Sequence, residues 1–204
     1  CQPIYDLTKP LPGENNYELF SYEILVRLYD DEGKIHYPGE FLNIAKQAGL
    51  YISITNAVVN IAFDLVEKFD YVFSINLSSS DMANTSVREL FSARLKKCKA
   101  PNRLTIEVLE TEDIDQKMDD VLKFLNEVRN KGCHVAIDDF GSGFANIATI
   151  LQLNIDYIKI DGSIIKRLPY DENSRAFLSM LSNFAASANY TMVAEFVSSQ
   201  DILD

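Results

Sequence analysis

The sequence predicts an α/β fold built on a mostly parallel sheet, and two observations carry that expectation. From Tyr71 to Ala194, short apolar strand-like runs alternate with helical stretches, the pattern of successive βα units. Polar residues also recur at the ends of those runs, with 31 residues from Asn76 to Glu107 and 31 more from Glu107 to Asp138. That cadence is about one βα unit per polar group. In a parallel barrel the C-terminal strand ends meet on one face, so such groups would converge there.

In chain order, Gln2–Leu7 reads as a short strand, followed by turn-forming residues through Pro10, Pro12 and Gly13. Tyr17–Tyr29 reads as a second strand with Glu23 and Arg27 at even spacing on one face. Asp30–Gly39 is a turn region, and helices are expected over Phe41–Gly49 and Ile52–Lys68. The second carries Ala57, Val58, Ile61, Ala62 and Leu65 at helical spacing. Strands then follow at Tyr71–Leu77, Leu104–Val108, His134–Ile137, Tyr157–Ile160 and Thr191–Ala194. Between them lie helices at Val87–Lys97, Met118–Asn130, Ala145–Leu151 and Arg175–Ala188. No stretch reads as a linker, a low-complexity tract or a repeat, so a single domain over residues 1–204 is expected.

Composition bounds the function. With 204 residues, 47% of them hydrophobic, the chain can bury a large core. No apolar run approaches the roughly 18 residues of a membrane span, and no basic region precedes an apolar one at the N-terminus, so the domain reads as soluble. Cys1, Cys98 and Cys133 are odd in number and lack Cys-x-x-Cys spacing, which favours free thiols in a reducing compartment. A net charge of −11 argues against a polymeric nucleic acid held on a basic surface. It does not argue against a small anion held through cations, since a carboxylate-rich site inverts its own sign on binding divalent ions.

The most informative stretch is Val135–Phe144, an apolar run ending in Asp138 and Asp139 before Gly141-Ser142-Gly143. A buried strand delivers metal ligands or acid/base groups to a sheet end in this way; a plain acidic turn that caps the next helix is the alternative. The other strand ends bear on that choice. Glu107 lies in an apolar strand and Lys159 between Ile158 and Ile160, where an unpaired buried charge is costly. Asn76 and Glu195 end strands as well, Glu23 lies within the second strand, and one shared face accounts for all of them together. Glu23, Asn76, Glu107, Asp138 and Asp139 offer oxygen donors alone, which suits Mg²⁺ or Mn²⁺. His36 and His134 have no partners at zinc-ligand spacing. Gly141-Ser142-Gly143 is not a nucleophile elbow, and Asp139-Phe140-Gly141 lacks the other motifs of a kinase.

Taken together, Glu23-Ile24-Leu25-Val26-Arg27, Asn76-Leu77-Ser78, Glu107-Val108-Leu109-Glu110, Asp138-Asp139-Phe140-Gly141-Ser142-Gly143, Lys159-Ile160-Asp161 and Ala194-Glu195-Phe196-Val197 resemble the EAL-domain family of bacterial cyclic di-GMP phosphodiesterases. Gln2-Pro3-Ile4 is similar to that family's first strand. The resemblance implies a modified (β/α)8 TIM-like barrel that hydrolyses one phosphodiester bond of cyclic di-GMP to the linear dinucleotide pGpG with two Mg²⁺ or Mn²⁺ ions. By position, it implies Glu23, Asn76, Glu107 and Asp138 as ligands of a first metal, with Asp138 and Asp139 serving a second. Lys159 would position the attacking water, and Glu195 would bind or polarise water at the second metal. Arg27 would contact a substrate phosphate, Gln2 would lie beside the substrate, and Glu110 would brace the loop after Asp139.

The chain departs from the family pattern in places. Ile24 replaces the alanine, Phe196 a glycine, and Ser198 a second carboxylate, the last two bearing on substrate or second-metal handling. The family continues past the position of Asp204 into an eighth strand, so a C-terminally truncated EAL-type domain from a longer protein is expected. The resemblance further implies a cytoplasmic domain fused to other signalling modules, in a parent that could be membrane-anchored, and leaves homodimerisation open. A non-catalytic module that binds cyclic di-GMP or a protein is the alternative reading.

Overall fold

A computed structural model of the chain describes all residues except 13–16, 110–116, 143–146 and 204. The chain opens with β1 (Gln2–Pro10) and β2 (Tyr17–Ile24), then forms a two-stranded ribbon of β3 (Leu28–Tyr29) and β4 (Ile35–His36). Helices α1 (Pro38–Gln47) and α2 (Tyr51–Lys68) follow. Strand β5 (Phe73–Asn76) leads to α3 (Ser79–Ala83) and α4 (Thr85–Leu95), and β6 (Leu104–Leu109) to α5 (Met118–Asn130). Next come β7 (His134–Phe140), α6 (Ile147–Leu153), β8 (Tyr157–Ile160), α7 (Gly162–Ile165), α8 (Glu172–Ala188), β9 (Thr191–Ala194) and α9 (Gln200–Leu203).

Seven strands form one sheet in the order β1-β2-β5-β6-β7-β8-β9. Strand β1 runs antiparallel to β2, with Gln2 opposite Glu23, and every other pairing is parallel. The sheet is strongly curled. Four strand steps separate β2 from β8, roughly 19 Å if the sheet were flat. Yet Lys159 on β8 lies 3.8 Å from Glu23 on β2, and the rings of Phe20 and Tyr157 are 5.8 Å apart. The sheet is therefore a barrel-like wall with β1 and β9 at its edges, which agrees with the expected α/β barrel class.

Alternation along the strands separates two environments. Phe73, Ile75, Leu104, Ile106, Val108, Val135, Ile137 and Ile158 join the apolar core with Val59, Phe63 and Val66 of α2, Phe91 of α4 and Phe124 of α5. Phe63, Phe91 and Phe124 form a chain of edge-to-face contacts with centroids 5.1 Å apart at each step. The intervening residues are polar and buried: Ser74, Thr105 and Glu107, with Lys159 on β8. The helices cover the apolar face and leave polar groups inside the curl.

Several boundaries differ from the sequence expectation. The strand expected over Tyr17–Tyr29 stops at Ile24, so Arg27 does not share a strand face with Glu23. Leu28 and Tyr29 instead pair with His36 and Ile35, closing a ribbon through Asp30, whose carboxylate accepts from the Glu32 and Lys34 amides and sits 3.0 Å from His36 Nε2. Strand β1 runs on to Pro10, and β7 runs on through Asp138 and Asp139 to Phe140. Helices begin earlier than periodicity suggests because polar caps start them: the Asn84 side chain accepts from the Val87 amide before α4, and Asp171 from the Asn173 amide before α8. The helix expected over Ala145–Leu151 is described from Ile147 to Leu153, and its first two expected residues lie outside the described set. Among the described residues, no helix is long and apolar enough to cross a membrane. Cys1, Cys98 and Cys133 are free thiols.

At the other end of the strands, Asp156 ties three of them together. Its carboxylate accepts from the Val135 amide and from Arg129 and faces His134, while its backbone bonds Val135 and Thr191. Burial alone would raise its pKa, but the His134 and Val135 hydrogen bonds and the Arg129 charge outweigh it and hold the carboxyl below its ordinary value. Asp156→Ala is expected to cost about 2 kcal/mol, roughly 4–8 °C in melting temperature, with turnover per folded molecule unchanged. A depressed carboxylate pKa stabilises the fold above the unfolded value and is lost as pH falls through the folded one. The gap between wild type and variant should therefore be full at pH 7 and close below about pH 4. Thermal melts at pH 7 and pH 3 check this.

Candidate functional site

Inside the curl, Lys159 is the centre of a carboxylate cluster. Its ammonium lies 2.7 Å from Glu107 Oε2, 2.7 Å from Asp138 Oδ1, 3.0 Å from Glu195 Oε1 and 3.8 Å from Glu23 Oε2. These groups come from β2, β6, β7 and β8 and from the residue after β9. The strand ends expected to converge do so, and Asn76 joins them by donating from Nδ2 to Glu23 Oε1 at 2.8 Å. Lys159 and Glu107 are each only 2% exposed.

One ammonium faces an excess of carboxylates, and their ionisation responds. Burial pushes Glu107 up to about 7, assisted by Asp138 and Glu23 and opposed by Lys159. Asp139 is raised by burial and by Asp138 and Asp161, and Glu195 by burial and by Asp138 and Asp139. Burial would lower the Lys159 pKa, but Glu107, Asp138, Glu23 and Glu195 together raise it, so this lysine stays cationic. Repulsion among the carboxylates favours additional positive charge at this place.

The geometry offers two places for it. Single oxygens of Glu23, Glu107 and Asp138 lie within 4.8 Å of one another, and so do those of Asp138, Asp139 and Glu195. Asp138 belongs to both groups. Asn76 Oδ1 is buried without a hydrogen-bond partner among the described residues, and Asp138 Oδ1 makes no aligned hydrogen bond despite its short contact with Lys159. Orphaned buried oxygens are costly, and a coordinated cation would satisfy them. The donors are all oxygens, as hard divalent ions require, and neither group contains histidine or cysteine. The residues present fit two such ions.

Asp138 and Asp139 meet on one side through a local distortion. In a regular strand, neighbours point to opposite faces. Here the pairing register shifts between Ile137 and Phe140, and Asp139 adopts φ 54°. This bulge turns the second carboxylate toward the first. Gly141 follows at φ 91°, a left-handed backbone that favours glycine.

The remaining expected residues are placed less centrally. Gln2 is exposed at the start of β1, opposite Glu23. Arg27 donates to the Val26 carbonyl and stacks 4.8 Å from the Tyr37 ring centroid, in the loop after β2. Glu110 and Gly143 lie outside the described residues, so the expected bracing role of Glu110 stays with the resemblance. Sequence reasoning missed Asp81. Buried in the first turn of α3, it accepts from Tyr51 Oη, Thr55 Oγ1, and the Ser78 amide and hydroxyl, fixing the loop that follows β5. The capping spacing Ser78-x-x-Asp81 was its available signal.

The EAL domain family model matches residues 2–204. Cyclic di-GMP phosphodiesterase PdeA of Borreliella burgdorferi is 30% identical over 187 residues, covering 89% of this chain and 28% of that protein. The chain spans between 22% and 40% of the length of the first curated relatives it matches. Among solved structures, the PaMucR phosphodiesterase in its c-di-GMP complex superposes with a TM-score of 0.79 at 24% identity, covering 98% of this chain and 81% of that one. The Vibrio cholerae LapD S helix-GGDEF-EAL structure gives 0.83 at 22% identity, covering 100% and 48%. Both structures share the fold. The family match takes in every strand that brings a carboxylate to Lys159, and on it the chain belongs to the EAL domain family.

Proposed function

We propose that this chain carries a metal-dependent phosphodiesterase activity that opens one phosphodiester bond of cyclic di-GMP to give linear pGpG. The observation that carries the reading is the pair of oxygen-donor groups sharing Asp138, with Asn76 Oδ1 beside them unpartnered among the described residues. Glu23, Asn76, Glu107 and Asp138 would hold one ion, and Asp138, Asp139 and Glu195 a second. Two Mg²⁺ or Mn²⁺ ions bound there supply acidity to a water and neutralise charge on the attacked phosphate.

The chain's own groups divide the remaining work. Lys159, kept cationic by its partners, is suited to donate a hydrogen bond from Nζ to the attacking water and unsuited to be a base. Glu195 is the least buried of the carboxylates paired with Lys159, at 19% side-chain exposure, so its carboxylate is the acceptor that a substrate-side water can reach. Arg27 takes a phosphate oxygen of the substrate, and Gln2, opposite Glu23 at the start of β1, lies beside the substrate. We place this domain in a longer cytoplasmic or membrane-anchored signalling protein, in keeping with the relatives' greater lengths.

One observation favours a second reading, a module that binds cyclic di-GMP without cleaving it: Ser198 stands where the family pattern has a carboxylate. Incubation of the protein with cyclic di-GMP and Mn²⁺ or Mg²⁺, with and without chelator, separates the two. Chelator-sensitive formation of pGpG is the expected result. Binding without turnover in protein with filled metal sites would overturn the enzymatic reading.

A further inference from the structure

Four non-glycine residues among those described have a left-handed backbone: Asp139, Asn154, Asn189 and Phe196. Asn154 and Asn189 follow α6 and α8, where asparagine commonly ends a helix. Asp139 forms the bulge of the carboxylate centre. Phe196, at φ 54°, follows Glu195 directly. A bulky side chain is strained in this conformation because Cβ crowds the backbone, so the surroundings must hold Phe196 there.

Its ring provides the hold. A Cβ added at Gly162 would lie 2.3 Å from Phe196 Cδ2 and 3.0 Å from Cγ, so the ring rests on the glycine backbone. The Lys166 ammonium sits 4.1 Å from the ring centroid. Phe196 is nevertheless 60% exposed, so concealment from water does not explain its seat. Gly162 begins α7, three residues beyond Lys159, and the Glu195 amide reaches back to the Ile160 carbonyl at 3.3 Å. Ring and carboxylate thus connect the same two strand ends.

We infer that Phe196 is a positioning residue: seated on Gly162 under Lys166, it ties the loop after β9 to the start of α7 and holds Glu195 against Lys159. The inference rests on the phosphodiesterase reading for its kinetic consequence. Phe196→Ala removes the ring, and Gly162→Ala adds a methyl where the ring must sit. The backbone of Gly162 is outside the left-handed region, so alanine itself introduces no strain there.

Each variant is expected to lower kcat for cyclic di-GMP about tenfold, as misplacement of a reacting group does, with KM within about twofold. Phe196→Tyr keeps the seat and should retain near wild-type kcat. Adding Gly162→Ala to Phe196→Ala should cost nothing more, because the methyl then has room. Equal kcat per folded molecule in Phe196→Ala, with folded fraction taken from thermal melts, overturns the inference, as do additive losses in the double variant. A raised KM with intact kcat overturns it in favour of a ring that stacks on a substrate base. If wild-type protein shows no turnover, the phosphodiesterase reading fails alone. The positioning role is then read from Mn²⁺ calorimetry, where Phe196→Ala must weaken binding at least about threefold and an unchanged affinity rejects it.

Discussion

Replacing Asp139 with asparagine is expected to leave the fold intact and to reduce turnover of cyclic di-GMP at least ~10²-fold, because activation by two ions is impaired. The fold survives for a local reason. Asp139 adopts φ 54°, and asparagine is among the few residues that tolerate this backbone. The exchange also removes one negative charge from a crowded site, where burial and then Asp138 and Asp161 raise the Asp139 pKa. The chemistry suffers because the group formed with Asp138 and Glu195 loses an anionic oxygen. Steady-state hydrolysis at saturating Mn²⁺, beside a thermal melt, measures both halves. Unchanged turnover would remove Asp139 from the site.

Lys159→Met should produce the largest combined effect. In chelator at pH 7 it leaves Glu23, Glu107, Asp138 and Glu195 without the cation they surround, and stranding buried charge in this way costs about 3–5 kcal/mol. The pH dependence of the deficit has a definite sign. Without Lys159, Glu107 loses the charge that opposes the upward push of burial and moves above its wild-type value of about 7, and Glu195 shifts in the same direction, so both carboxyls take up protons more readily as pH falls, which relieves the repulsion. The variant should therefore approach the wild-type melting temperature at pH 5. Added Mn²⁺ should also restore stability, since an ion bound only by the folded state stabilises it. Turnover should remain at least ~10²-fold down even with the ion, because the donor proposed for the reacting water is gone. Melts in chelator at pH 7 and 5, repeated with Mn²⁺, decide the matter. A deficit that is equal at both pH values would show that Lys159 acts through packing alone.

Much of the site was legible because its chemistry repeats with the chain's own period. Asn76, Glu107 and Asp138 recur every 31 residues at or near the ends of successive strands, and Glu107 stood out as a carboxylate within an apolar strand. Those signals are short-range, and the three strands that carry them lie side by side in the sheet. Arg27 failed the same test: its spacing from Glu23 presumed that the strand continued, whereas the Asp30 turn and the ribbon of β3 and β4 divert the chain after Ile24. Asp81 escaped notice because its partners Tyr51 and Thr55 lie far back in the chain.

The sequence by itself determined the alternation of strands and helices from Tyr71 onward, the oxygen-only donor set and the EAL resemblance. These depend on residue type and on periods of two or 3.6 residues, which are local properties. Only the tertiary structure decided that Lys159 stands among four carboxylates, that a bulge brings Asp139 to the side of Asp138, and that Phe196 rests on Gly162. The reason is closure. Strand twist and helix packing, summed across the sheet, carry β8 round to face β2, and no local pattern encodes that distance.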